Sequence, residues 1–445
     1  MKKRLFSIAS LLLVGLFAQA QEVKFEEYDL ANGLHVILHQ DNTAPVVTTS
    51  VMYDVGGKDL GDNNNPKRTG FAHFFEHLLF EGTKNIDRGA WFKIVSANGG
   101  TNNANTSNDR TYYYEVFPSN NLELGLWMES ERMLHPEINQ IGVDTQKEVV
   151  KEEKRQRYDN QPYGQILFVV SENIFKKHPY KHKNIGEMEH INASTLDEFK
   201  AYFKKFYVPN NATLVVAGDI DVPKTKKLIE DYFGPIPRGA DVVRNFPKED
   251  PITTSSKVKF EDPNIQIPAI IAAYRTPGFA TRDARVLDMI STYLSGGKSS
   301  KLYKRLVEDK KMSLAVQAVN ISQRDYGTYA LFSLPLGENT LEGLLAEMDD
   351  EIAKLQTDLI SERDYQKLQN KFENNFVNSN SGVEGIANSL ARYHLLYGDT
   401  NLINTEIDIY RSITREEIRD VANKYLKTNQ RILLDYVPAE KTEKK

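Results

Sequence analysis

The chain has 445 residues, 40% of them hydrophobic and 26% charged, more than one ordinary core holds, which suggests two domains or more. Its 56 Lys and Arg against 61 Asp and Glu give a net charge of −5, with no basic excess to attract a phosphate backbone, so nucleic acid is not an expected partner. Cysteine is absent, which excludes disulfides, iron–sulfur clusters, thiolate zinc sites and cysteine nucleophiles, and leaves only His and carboxylates as metal ligands.

Lys2, Lys3 and Arg4 precede a short apolar stretch from Leu5 to Phe17, and Ala18-Gln19-Ala20 has the small-x-small form of a cleavage site. Residues 1–20 therefore read as a signal peptide, with the mature chain starting at Gln21 and exported to the periplasm or beyond. No later stretch approaches a membrane-spanning length. The run Leu34-His35-Val36-Ile37-Leu38-His39 reads as a strand, its two histidines expected at a sheet edge or surface.

Gly70-Phe71-Ala72-His73-Phe74-Phe75-Glu76-His77-Leu78-Leu79-Phe80 follows, without proline or internal glycine beyond its start, and reads as a helix. On a helix His73 and His77, four residues apart, project from one face a turn apart, the spacing at which two imidazoles share one ion. Glu76 lies beside that face, placed to take a proton from an attacking water. Two imidazoles, one carboxylate and an open position suit zinc best, one Zn2+ per chain.

The third ligand should come from another element. In the helix Asp144–Arg155, Val149 and Val150 are the only apolar residues and are expected inside. Glu153 shares their face, whereas Glu148 and Glu152 are expected to pair along the flank. An inward carboxylate needs a cation to neutralise it, which selects Glu153, with Gln146 two turns earlier as a candidate partner behind the ligands. The other closely spaced pair, His178 and His182, has Pro179 between them and reads as a basic loop.

The pattern recurs along the chain. Ser194 starts a capped amphipathic helix, then Val208-Pro209-Asn210-Asn211, then an apolar strand; Ser412 starts the same order ending in Arg431-Ile432-Leu433-Leu434. Asn103–Val116 and Val316–Leu334 are extended segments that end at Pro118 and Pro335 and lead into helices. These halves read as two α+β domains, each a mostly antiparallel sheet with helices on one face, over 25–235 and 257–440. The Pro- and Gly-bearing segment 236–256 reads as an exposed linker. Gly297-Lys298-Ser299 looks like the end of a phosphate loop, but Thr292 stands where that motif needs glycine.

The H-x-x-E-H order, with a glutamate 76 residues after His77 (153 − 77), resembles the pitrilysin/insulinase/mitochondrial processing peptidase family of zinc peptidases. Asn98-Gly99-Gly100 with Asn103–Ser107 and Thr111-Tyr112-Tyr113, the loop His178-Pro179-Tyr180, and Leu294–Tyr303 resemble further segments of that family. The resemblance implies an endopeptidase with ligands His73, His77 and Glu153, general base Glu76, and peptide-backbone contacts at Asn103 and Ala104, substrate adding as a strand along Asn103–Ser107. The alternative it leaves is a non-hydrolytic scaffold of the same fold. Active relatives carry an Arg and a Tyr seven residues apart in the second domain; Val307 and Leu314 stand there in this chain. That departure implies a second homologous two-domain subunit supplying the pair, or a homodimer that works without it.

Overall fold

Thr195 and Thr414 start two helices in the same way. Each hydroxyl accepts from the backbone N–H three residues on, and Glu198 or Glu417 accepts from the threonine N–H, satisfying two orphan donors at each start. The helices, Leu196–Phe206 and Arg415–Tyr425, lead through turns into the strands Ala212–Gly218 and Ile432–Pro438. The repeat of pattern is a repeat of structure. The computed structural model describes residues 22–61 and 65–440; the signal peptide read in residues 1–20 lies outside the described residues.

The strands of the first half are β1 (Glu26–Asp29), β2 (His35–Gln40), β3 (Val46–Tyr53), β4 (Thr101–Thr106), β5 (Thr111–Pro118) and β6 (Ala212–Gly218). The second half has β7 (Ser256–Asp262), β8 (Ala269–Pro277), β9 (Ser313–Ser322), β10 (Tyr326–Pro335) and β11 (Ile432–Pro438). Their orders are β1-β2-β6-β3-β5-β4 and β7-β11-β8-β10-β9. Leaving out β1, the two orders match place for place. Each sheet has one parallel pair, β2 with β6 and β7 with β11, and is otherwise antiparallel. The α+β class with two similar halves is the observed architecture.

Each half packs its own helices on one face of its sheet, as expected. Phe71–Leu78, Leu122–Leu134 and Leu196–Phe206 enclose Leu38, Val47, Val51 and Leu214. Arg282–Ser295, Leu341–Thr357 and Arg415–Tyr425 enclose Ile270, Ala272, Tyr274 and Leu331. The opposite faces are covered reciprocally. Helix Val383–Arg392 of the second half seats Ile386, Ala387 and Leu390 on Ile37, Met52, Val215 and Ala217. Helix Ile166–Ile174 of the first half seats Val169, Val170 and Ile174 on Ile271, Ala273 and Leu434. These helices hold matching places in the repeat, so each half completes the other's sandwich. Burial on both faces explains why β6 is buried at every residue and mostly apolar instead of alternating.

The turn between β9 and β10 plugs into the first half. Lys58, 1% exposed, places Nζ 2.9 Å from Asp109 Oδ1 and 3.0 Å from Asp325 Oδ2. Tyr180 of the His-Pro-Tyr loop donates to Asp109 at 2.5 Å, and Arg324 Nη1 donates to Asp54 at 2.7 Å. A buried ammonium is tolerated because two carboxylates surround it. Residues 239–254 have no helix or strand and none is buried, and the segment is pinned along both halves. Arg244 pairs with Asp59 at 2.6 Å, and Glu249 accepts from the amides of Lys176, Lys177 and His178 while pairing with Arg275 at 3.0 Å.

Candidate metal centre

Phe71, Phe74 and Phe75 bury one face of helix Phe71–Leu78 against Phe199 and Tyr202, which turns His73 and His77 toward the edge strand β4 and helix Gln140–Lys154. Gly70 permits the entry: at φ 84°, its Cα faces that of Gly186, and a Cβ there would lie 2.7 Å from it. Two buried donors hold the helix carbonyls. Tyr113 OH donates to Phe75 O at 2.9 Å, and Arg132 Nη1 donates to Leu79 O at 2.9 Å. Arg132 is fully buried with Glu129 and Glu115 and stacks 4.0 Å from the Trp91 ring. Burial and the Glu129 charge push the Glu115 carboxyl up despite that arginine.

His73, His77 and Glu153 each offer a ligand atom within 4.8 Å of the others. Glu153 Oε2 lies 3.5 Å from His73 Nε2 and 3.0 Å from His77 Nε2. It is buried without a well-directed donor, as is His73 Nδ1. Burial pushes the Glu153 carboxyl up, but the two imidazoles outweigh it and hold the group well below the usual carboxylate range. The second oxygen is held by Arg157 Nη1 at 2.8 Å. Two imidazole nitrogens and a carboxylate oxygen converging on one point, with that oxygen orphaned, are a donor set that suits zinc.

These three side chains open into a cleft of about 920 Å³ that also exposes Glu76, Asn103, Ala104 and Asn105. Among the described residues β4 pairs only with β5, so its far edge is open. Ala104 N–H is met by the Asn103 side chain at 2.9 Å. Phe92 and Val149 are exposed apolar residues of the same cleft. Val149 corrects the sequence reading: only Val150 enters the core, and Val149 faces the cleft one turn before Glu153. Glu148 and Glu152 also line the cleft, and pair with Lys151 at 2.6 Å and Arg155 at 3.3 Å instead of with each other. Gln146 donates to Glu81 at 2.5 Å, so its hydrogen bond runs to Glu81 and not to a ligand.

His178 and His182 are not a metal pair. His178 is buried, with Nδ1 accepting from Tyr180 N–H and Nε2 3.3 Å from Asp325. His39 is also buried, bonded to Lys24 O at 2.7 Å, because β1 covers the β2 edge where a surface site was expected. The sequence reading missed a second cluster, Glu27, His35 and His394, which joins the two halves. Its imidazoles stack 3.5 Å apart at 4°, so their lone pairs run parallel and do not converge. Arg157 and Arg110 were missed as well; only a helical i, i+4 count from Glu153 could have found the first.

Comparison with known proteins places the chain in a family. Residues 35–187 match the family model described as Insulinase (Peptidase family M16), and residues 193–372 match that of the Peptidase M16 inactive domain. The chain belongs to the insulinase family of peptidases, M16. It is 29% identical over 438 residues to the zinc protease PqqE of Helicobacter pylori, covering 96% of this chain and 97% of that one. It is 24% identical over 413 residues to a probable mitochondrial-processing peptidase subunit beta of Arabidopsis thaliana, covering 89% and 75%. A crystal structure of a protease from Helicobacter pylori superposes with a TM-score of 0.87 at 27% identity, covering 94% of this chain and 100% of that one. The first half of the periplasmic protease PqqL from Escherichia coli shares the fold, with a TM-score of 0.76 at 18% identity over 94% and 93% of the chains. Among the described residues no helix is long and apolar enough to cross a membrane.

Proposed function

We propose that the chain is an exported zinc-dependent endopeptidase acting on peptides or unfolded segments, its catalytic half 25–235 and its metal-free half 257–440. One observation carries this: His73 Nε2, His77 Nε2 and Glu153 Oε2 converge in the cleft that also exposes Glu76 and the open edge of β4. His73, His77 and Glu153 would hold the zinc, which when bound polarises a scissile carbonyl and acidifies water. Glu76 takes the proton of the attacking water and passes it to the leaving amine. Asn103 and Ala104 orient the peptide as an added strand, so that recognition rests on backbone and shape. Gln146 steadies Glu81 beside the ligand helix, and Arg157 orients the Glu153 carboxylate. The basic-apolar-small pattern of residues 1–20 supports export.

A second homologous subunit, or a second copy, fits the second half. Leu314 is 47% exposed on β9. Arg305, the nearest arginine, is committed to Glu347 at 2.5 Å, Glu351 at 2.7 Å and Asp350 at 2.8 Å, and is not free to reach a substrate. Zinc content and cleavage of a mixed peptide library by the purified chain test the function. One zinc per chain with cleavage is expected; a metal-free chain that cleaves equally well would overturn it. Adding a co-exported homologue carrying the Arg–Tyr pair tests the partner, and a rate unchanged by it would leave the homodimer.

A further inference from the structure

Beyond the end of β4 the catalytic cleft meets a second cavity, of about 680 Å³, between the halves; Asn184 lines both. Its charged lining residues are Asp109, Arg110, Arg285, Asp288, Arg392 and Glu406. Four of these have partners that account for them. Asp109 pairs with Lys58 at 2.9 Å, and Arg285 grips Glu406 through two bonds of 2.8 and 2.9 Å. Asp288 accepts from Asn320 at 2.8 Å and Tyr410 OH at 3.0 Å, and burial pushes its carboxyl up.

Two cations remain. Arg110, half-buried at the β4–β5 turn, donates to the carbonyl oxygen of Asn105 at 2.8 Å and to its side chain, both neutral acceptors. Arg392, half-buried at the end of helix Val383–Arg392, lies over the Tyr393 and Tyr397 rings at 4.8 and 5.8 Å. Neither has a carboxylate at ion-pair distance among the described residues. Burial lowers the affinity of Arg110 for its proton, and the like charge of Arg392 adds to this; Tyr112, Glu76 and Asp109 oppose both without pairing with Arg110. Guanidinium groups that share a partly desolvated cavity with no carboxylate at ion-pair distance favour an anion between them. The first comes from the turn after the edge strand and the second from the helix the other half lays across this sheet, so only the assembled chain makes the pair.

We propose that this cavity is an anion site for the substrate, in which Arg110 and Arg392 hold a carboxylate on the peptide segment running past Thr106. The inference rests on the peptidase reading for what occupies it. The carboxylate is an Asp or Glu side chain or a free chain terminus, chemically equivalent to a guanidinium fork.

Binding is measured on the full chain carrying Glu76→Gln, to prevent turnover, with three short peptides of one sequence. One is an amide with two internal Glu, one has Gln in their place, and one is the Gln peptide with a free C-terminal carboxylate. At least one anionic peptide should bind about 10- to 100-fold tighter than the neutral amide, the scale of charged hydrogen bonds. Adding Arg392→Gln should remove most of that advantage, and Arg392→Glu should transfer it to a Lys peptide, which loss of folding would not do. Which anionic peptide responds tells side chain from terminus. Equal binding of all three, or an advantage untouched by both Arg392 substitutions, overturns the site. Cleavage by the chain without Glu76→Gln is scored separately, so a chain that cleaves nothing yet keeps an Arg392-dependent preference removes the peptidase reading alone.

Discussion

β4 and β9 stand at the same place in matching sheets and carry different chemistry. β4 exposes Asn103 and Asn105 beside a helix that presents His73 and His77 across an open cleft. Beside β9, helix Arg282–Ser295 instead sends Val286, Leu287 and Ile290 into a core with Val316 and Ala318, and its polar residues Arg285 and Asp288 are bonded to Glu406, Asn320 and Tyr410. The duplicated topology supplies an edge strand and a neighbouring helix twice over. Among the described residues only the first copy brings two imidazoles and a carboxylate together there. A fold therefore supplies positions, and the residues placed there decide whether a site exists.

The comparison breaks most sharply if the first half is made as inert as the second. Glu76→Gln should keep zinc, read by elemental analysis, and lower kcat by about 10²- to 10⁴-fold, the range of a lost general base. His73→Ala, His77→Ala or Glu153→Gln should lose zinc and activity together. Near-normal turnover in Glu76→Gln, or sensitivity at Glu152 in place of Glu153, would reverse the roles.

The reciprocal helices bind the unlike halves into one unit. Leu390→Ala and Ile174→Ala, each in the half opposite to the sheet it covers, should each destabilise by about 2–5 kcal/mol through lost burial and the cavity left behind. Both should lower a single cooperative melt seen by circular dichroism. Two separated transitions would mean that the halves fold independently.

A smaller effect should come from the cleft wall. Phe92→Asp places a charge where an apolar side chain of a peptide would rest, and should cut kcat/KM on peptides with a large apolar residue by roughly 10-fold. An equal loss on glycine-rich peptides would place Phe92 outside side-chain recognition.

The smallest lies where the halves meet at His35 and His394. Burial, with the like charge of His35, pushes the His394 imidazole down to about 4 from 6.5. Between those values the unfolded chain takes up a proton that the folded chain refuses, so stability falls as pH drops from 6.5 to 4. His394→Phe keeps a ring against His35 and should flatten that slope of melting temperature against pH. His182, held at about 4 by burial and the Lys181 charge, leaves a residual slope. An unchanged slope would assign the whole limb to other groups.

Local periodicity made much of this molecule legible from the chain alone. The shared face of His73 and His77 follows from four-residue spacing on a helix, and the repeat follows from two helix starts and two apolar strands. Glu153 could be selected among its acidic neighbours because helical geometry gives each a different direction. Val149 shows the limit of that argument: the same face that enters the core at Val150 also borders a cleft, and periodicity cannot tell a core from a lined gap. The linker shows a related limit, since its prolines forbid regular structure but say nothing of Glu249 or Arg244 finding partners in both halves.

By itself, then, the sequence determined the class of the fold, its duplication, and which side chains share a helix face, because these depend on neighbours a few residues apart. Tertiary structure alone decided that each half covers the other's sheet, that Lys58 is buried between Asp109 and Asp325, and that Arg110 and Arg392 face one cavity. Those meetings join residues 51 to 353 positions apart (109 − 58 and 390 − 37). No local pattern encodes such a meeting; it exists only once both sheets have formed and packed.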